Sequence, residues 1–93
     1  MIIGLLHASM SIPESHSLKE KRMVLRSLKD RIRNEINVSI AEVGKQDIWQ
    51  STEIAVVTVS AEKSVVERRL SDVSRMLQSN PRVVMIDYVT QLL

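Results

Sequence analysis

The segment Ser11–Arg33, SIPESHSLKEKRMVLRSLKDRIR, contains the end of a strand, a turn at Pro13 and most of a helix. Its SLKE is a capping box, in which the Ser17 hydroxyl accepts from the Glu20 amide and the Glu20 carboxylate accepts from the Ser17 amide. Apolar residues then recur at helical spacing as far as about Glu35, which predicts an amphipathic first helix. The predicted buried stripe is Leu18, Leu25, Leu28, Ile32 and Ile36, with Met23 and Val24 alongside.

The flanking segments predict four strands and a second helix. Met1–Ile12 is apolar and β-branched and predicts the first strand. Asn37–Gly44 and Thr52–Ala61 predict a hairpin, because Gly44 and Asp47 between them suit a turn. Arg82–Leu93 predicts the last strand.

The second helix is predicted within Ser60–Asn80, with Ser60 or Ser64 as its N-cap. Asn80 and Pro81 end it. The apolar residues along its predicted buried face are Val66, Leu70, Val73 and Leu77.

The order of these elements is strand, helix, strand, strand, helix, strand. Right-handed crossovers then put both helices on one face of a four-stranded antiparallel sheet of order 4-1-3-2. The predicted fold is therefore an α+β, ferredoxin-like βαββαβ sandwich. A chain of 93 residues is long enough for one core only, so we expect a single domain over residues 1–93.

The third and fourth strands carry aliphatic residues at both alternating sets of positions. The sheet face without helices should therefore be apolar, and such a face is usually covered. We expect a homodimer, in which a second copy covers this face. Alternatively, an edge strand could extend the sheet across two chains.

The composition excludes several classes of protein. The chain has no Cys, which excludes disulfides, thiolate zinc sites and cysteine nucleophiles. The apolar start, MIIGLLHASM, has no basic region, no cleavage site and nothing near the 20 or so apolar residues of a membrane span. We therefore expect a cytoplasmic protein that makes no use of a membrane.

Positive charge is concentrated in the first helix. The net charge of the chain is +2, yet residues 19–33 hold seven basic and two acidic residues. Five of the basic residues follow a 3-4-3-4 spacing and form the basic stripe, which is Lys19, Arg22, Arg26, Lys29 and Arg33. The stripe could bind a run of RNA phosphates. It could equally be a solvated helix face, supported by pairs such as Arg26 with Asp30.

Three stretches occur together along the chain: MIIGLLHASMSIPESHSLKEKR, NVSIAEVGKQDIWQS and IAVVTVSA. In this combination the sequence resembles the YlxP-like family of small bacterial proteins, a domain of unknown function. The matching motif positions are Ser17, Leu18, Lys19, Glu20, Lys21 and Arg22, then Glu42, Gln46, Asp47, Trp49 and Gln50. The resemblance implies a ferredoxin-like fold in the bacterial cytoplasm. Genes of the family often lie beside genes for translation initiation and ribosome maturation, so the resemblance implies an RNA or ribosome partner. No catalytic residues come with the family.

Enzyme chemistry finds little support in the sequence. His7 and His16 are the only histidines. His7 could meet Asp87 across the sheet, but two groups without a third do not form a catalytic or metal site. The first loop, PESHS, lacks the glycines and the Arg with which acylphosphatases of this fold type bind phosphate. We therefore predict no enzyme activity, no metal and no cofactor.

The chain has one Trp, one Tyr and no Phe. Tyr88 should face the helices, so the sheet offers no aromatic surface for stacking bases. Trp49 lies at the predicted hairpin, where it either seals the edge of the core or anchors a partner-binding corner. The leading hypothesis is a non-enzymatic RNA-associated or ribosome-associated homodimer that uses the basic stripe. The alternative is a protein-interaction or regulatory module that acts without nucleic acid.

Overall fold

The computed structural model describes all 93 residues and contains four strands and two helices. The elements are β1 (Ile2–Ser11), α1 (Leu18–Glu35), β2 (Ser39–Gly44), β3 (Ser51–Ser60), α2 (Lys63–Ser79) and β4 (Val84–Leu92). The strands form one antiparallel sheet of order β2-β3-β1-β4, and both helices pack on one of its faces. The predicted ferredoxin-like fold and strand order are confirmed.

The core lies between the helices and one face of the sheet. Alternate residues of β1 are buried towards the helices, namely Gly4, Leu6, Ala8 and Met10. Gly4 is needed for close packing, because a Cβ there would overlap the side chain of Val66 in α2. All four residues predicted for the buried face of α2 are buried. In α1 the prediction was wrong for Met23, whose side chain is 62% exposed.

Helix α1 begins as predicted at the N-cap Ser17, whose hydroxyl accepts from the Glu20 amide at 3.1 Å. The Glu20 carboxylate accepts from the amide of His16 at 2.7 Å, one residue before the predicted donor. The cap predicted for α2 was wrong: its N-cap is Glu62, which makes no side-chain cap hydrogen bond. The Ser60 hydroxyl accepts from the Glu62 amide instead, a local bond that closes the turn before the helix.

A β-bulge in β4 changes the predicted alternation of its side chains. Asp87 lies opposite Ser9 and Met85 lies opposite Met10, so Ile86 between them has no partner on β1. Met85 is therefore on the helix side of the sheet, whereas Asp87, two residues later, is on the open side. Tyr88 lies opposite the buried Ala8 and is on the helix side, as predicted.

The face without helices exposes aliphatic residues, as the two-sided alternation predicted, beside polar residues such as His7, Glu53 and Asp87. Val57 and Val59 of β3 are 40% and 53% exposed there, and Val89 of β4 is 60% exposed. Neither helix is long and apolar enough to cross a membrane.

The Ser17 cap predicts the effect of one substitution. Ser17→Ala removes the acceptor for the Glu20 amide and should lower the free energy of unfolding by about 1 kcal/mol. Urea denaturation followed by circular dichroism measures the change. Ser27→Ala is the control, because Ser27 is exposed in the middle of α1 and caps no helix amide, so its loss should not lower the midpoint. An unchanged midpoint for Ser17→Ala would contradict this assignment of the cap.

Candidate nucleic-acid interface

The basic stripe lies on the flank of α1 that faces strand β2. Four of its members, Arg22, Arg26, Lys29 and Arg33, line a shallow groove together with Leu25, Asp30 and Glu42. Lys29 is half-buried and the other stripe residues are exposed. The structure thus brings four of the five predicted residues together along one surface.

Most of the stripe has no acidic partner. Only Arg33 among the five forms an ion pair, with Asp30 at 3.5 Å, and it also donates to the carbonyl of Ile40 at 3.0 Å. The pair expected between Arg26 and Asp30 is therefore replaced by Arg33 with Asp30. Arg33 is partly committed to holding α1 against β2, whereas the other four stripe residues have no carboxylate within 4.0 Å.

Lys21 is a buried member of the same charged segment. Its side chain is 1% exposed and its ammonium group lies 2.8 Å from the Glu42 carboxylate. The same ammonium donates to the backbone carbonyls of Lys45 at 2.6 Å and Ile48 at 2.7 Å. Thr52 donates to the same Oε2 of Glu42 at 2.6 Å and helps to hold the carboxylate in place. Lys21 thus fastens α1 to β2 and to the turn that follows it.

The burial of Lys21 could have been predicted from its position in the helix, although it was counted among the exposed charges of α1. It lies three residues after Leu18 and four before Leu25, so it belongs to the apolar stripe of α1 by position. A cation at such a position has to be paired when it is buried. Glu42, in the other matching motif, supplies the charge.

The segment 45–50 between β2 and β3, here called the Trp49 turn, is tied down at both ends. Lys45 has a positive φ of 58°, and its carbonyl accepts from both Ile48 and Lys21. At the other end, the side-chain amide of Gln50 donates to the carbonyls of Pro13 and Ser15, both at 3.2 Å. These bonds hold the turn against the β1–α1 loop.

Trp49 does not seal the edge of the core, so this one of its two predicted roles was wrong. Its side chain is 52% exposed, and the neighbouring Ile48 is 49% exposed. Both line a shallow depression with His16, Asp47 and Gln50. The bonds that fix the turn use backbone carbonyls and Gln50, which leaves the Trp49 ring free to face solvent.

His7 has a different neighbour from the one expected. Its Nε2 lies 3.9 Å from the Glu53 carboxylate, whereas Asp87 lies on the same sheet face opposite Ser9. No three His, Asp or Glu side chains cluster in a way that could hold a metal ion. The geometry around His7 is that of one surface pair.

Comparison with known proteins assigns the chain to a family. Residues 3–90 match the family described as "Protein of unknown function (DUF503)". The chain belongs to the DUF503 family. This DUF503 chain is 38% identical over 82 residues to "Uncharacterized protein YlxP" of Bacillus subtilis (strain 168), covering 88% of this chain and 89% of that protein. The resemblance to YlxP-like proteins is thereby confirmed.

A solved structure supports the fold of this DUF503 chain. The de novo designed protein Foldit4 superposes with a TM-score of 0.57, covering 100% of this chain and 97% of the designed one. Sequence identity is 9%, so the similarity concerns the fold alone.

The Lys21 contacts predict a second stability effect in the DUF503 chain. Lys21→Met leaves the Glu42 carboxylate without its cation and the Ile48 carbonyl without its donor. Since Glu42 retains 16% exposure, the free energy of unfolding should fall by about 2 to 3 kcal/mol, slightly less than for a fully buried pair. Trp49 is the only Trp, so its emission in the folded state should shift as the turn loosens.

Lys19→Met is the matched control, because Lys19 is exposed and unpaired. Its effect on stability should stay within about 0.5 kcal/mol. Equal denaturation midpoints for Lys19→Met and Lys21→Met would contradict a structural role for the buried ammonium group.

Proposed function

We propose that this protein is a cytoplasmic, non-enzymatic RNA-associated or ribosome-associated homodimer that binds the phosphate backbone through the basic stripe. The proposal rests on one observation: Arg22 and Arg26 are exposed and have no acidic partner. Both project from a helix whose position is fixed by Lys21 and Arg33. Unpaired guanidinium groups on a rigid element are suited to phosphate.

The length of the stripe fits a run of several phosphates. Lys19 and Arg33 are 14 residues apart, which corresponds to about 21 Å along a helix. The two acidic residues in the groove, Asp30 and Glu42, are paired with Arg33 and Lys21. Neither of them pairs with a cation in the middle of the stripe. The central cations, Arg22, Arg26 and Lys29, supply the charge that attracts an anionic backbone.

Contacts of this kind would recognise shape and charge rather than base sequence. The open sheet face presents Val57, Val59 and Val89 instead of aromatic rings. Sequence-specific RNA recognition on such sheets uses aromatic side chains that stack on unpaired bases. The proposed binding is therefore dominated by phosphate and depends strongly on salt.

Charge reversal on the stripe tests the proposal. Arg22→Glu with Arg26→Glu should reduce retention of ribosomal RNA by at least about tenfold at 50 mM salt, since attraction becomes repulsion at two phosphate contacts. The milder pair Arg22→Gln with Arg26→Gln should weaken binding less. It should flatten the dependence of log affinity on log salt by roughly 1.4 to 1.8, because each lost contact removes about 0.7 to 0.9 of a released counterion. Filter binding across a salt series measures both effects.

Helix α2 offers a control of equal charge. Lys63→Glu with Arg68→Glu changes the net charge by the same amount and should leave most of the affinity intact, because both residues are exposed and neither forms an ion pair. Arg69 is unsuitable, because it donates to the Thr58 hydroxyl and the Val59 carbonyl, both at 3.0 Å. Absence of binding by the unmodified protein at low salt, or equal losses in the α1 and α2 variants, would contradict the RNA proposal.

The Trp49 turn supports a second candidate function, a protein-interaction or regulatory module. Ile48 and Trp49 form a half-exposed apolar pair on a turn held by Lys21 and Gln50. A rigidly held, exposed Trp is typical of the residues that dominate protein interfaces. In this function the basic stripe only maintains solubility.

Trp49→Ala separates the two functions. If the protein is an interaction module, this substitution should abolish capture of one specific protein, and that capture should persist as salt rises. If it is an RNA-binding protein, Trp49→Ala should leave salt-dependent RNA retention within about threefold of the unmodified protein. Affinity purification with and without ribonuclease distinguishes these results.

A further inference from the structure

The two edges of the sheet differ in how their backbone is protected. Strand β2 is short, is interrupted by a bulge after Glu42, and projects the carbonyls of Ile40 and Glu42 away from β3. Arg33 donates to the Ile40 carbonyl at 3.0 Å and Gln46 donates to the Glu42 carbonyl at 3.5 Å. Side chains therefore occupy the hydrogen-bonding groups with which β2 could pair another strand.

Strand β4, at the opposite edge, also has a bulge, at Ile86, but beyond it no side chain occupies the outward backbone groups. Leu93 donates to the Ile3 carbonyl at 2.8 Å, so the alternate residues Gln91 and Val89 also direct their backbone groups towards β1. The intervening residues, Tyr88, Thr90 and Leu92, direct theirs outwards. No side chain forms a hydrogen bond with any of these three residues.

Exposed apolar side chains are concentrated at this same edge. Six of the thirteen large hydrophobic residues that are exposed lie within the last ten residues of the chain. They are Val84, Ile86, Tyr88, Val89, Leu92 and Leu93, with exposures between 41% and 65%. They occur on both faces of the sheet, because Tyr88 is on the helix side and Val89 is on the open side. A partner at this edge has to cover both faces as well as the backbone.

We propose that β4 pairs antiparallel with β4 of a second copy and joins two sheets into one of eight strands. A second copy fits the requirement, since its own β4 carries the same apolar residues on both faces and the same free backbone groups. The only charged residue of β4 is Asp87, and the net charge of +2 opposes self-association weakly. The inference specifies the dimer of the proposed function, but it does not depend on RNA binding.

Proline at position 90 tests this pairing directly. Thr90→Pro removes one outward N–H and leaves the hydrogen bonds to β1 in place, as proline on an edge strand normally does. The unmodified protein should have a dimer mass in sedimentation equilibrium at micromolar concentration, and Thr90→Pro should have a monomer mass with an unchanged circular dichroism spectrum. Val57→Lys with Val59→Lys, which changes the open face of β3 instead, should remain a dimer.

Cysteine scanning provides a second test that does not rely on proline. Paired residues share a sheet face, so a two-fold axis normal to the sheet places one residue of β4 directly opposite its own copy. The natural chain has no Cys, so single substitutions from Asp87→Cys to Gln91→Cys report cleanly. Mild oxidation should give a covalent dimer most rapidly at one position, with slower reaction at positions further from it.

Several results would overturn the inference. They are a monomer mass for the unmodified protein, a folded Thr90→Pro variant that stays dimeric, dissociation of the β3 variant, and failure of every cysteine variant to cross-link. The RNA proposal fails by a different measurement, because Arg22→Glu with Arg26→Glu should remain dimeric whether or not the unmodified protein binds RNA.

Discussion

The buried ammonium group of Lys21 fixes the geometry of one end of the molecule. A lysine that is 1% exposed has to be neutralised and hydrogen-bonded, and here the acceptors are the Glu42 carboxylate and the carbonyls of Lys45 and Ile48. Those acceptors belong to β2 and to the Trp49 turn, so one side chain sets the distance between α1 and both of them. The orientation of the basic stripe follows, because Arg22 is the next residue along the helix. The exposure of Trp49 follows too, because its turn is held by backbone groups.

The fold was predictable because burial on one face imposes a period on the sequence. Helical spacing identified the buried residues of α2, and the order of the elements then left few possible topologies. Alternation gave less information in β4, where apolar residues occupy both sets of positions. The bulge at Ile86 therefore left no trace in the pattern, and side chains before and after it exchange faces relative to a regular strand.

The candidate surface was only partly predictable, since composition does not show which charges are paired. The five residues of the basic stripe lie together because helical geometry requires it. The pairing of Arg33 with Asp30 and with the Ile40 carbonyl depends on where β2 lies beside α1, which is a tertiary feature. Exposure of Trp49 depends likewise on Lys21, far earlier in the chain, and on the bonds of the adjacent Gln50 to the distant carbonyls of Pro13 and Ser15. Local patterns could place these side chains on elements but not assign their partners.

The basic stripe and the proposed pairing strand lie at opposite edges of the sheet, and this separation limits how they could act together. Helix α1 and its stripe pack beside β2, whereas the proposed pairing edge is β4. In an eight-stranded sheet the two β2 strands would be seven strand spacings apart, roughly 34 Å. The two stripes could not share one short run of phosphates. They would instead gain affinity from each other only on an RNA long enough, or folded suitably, to reach both, as expected for a bivalent binder.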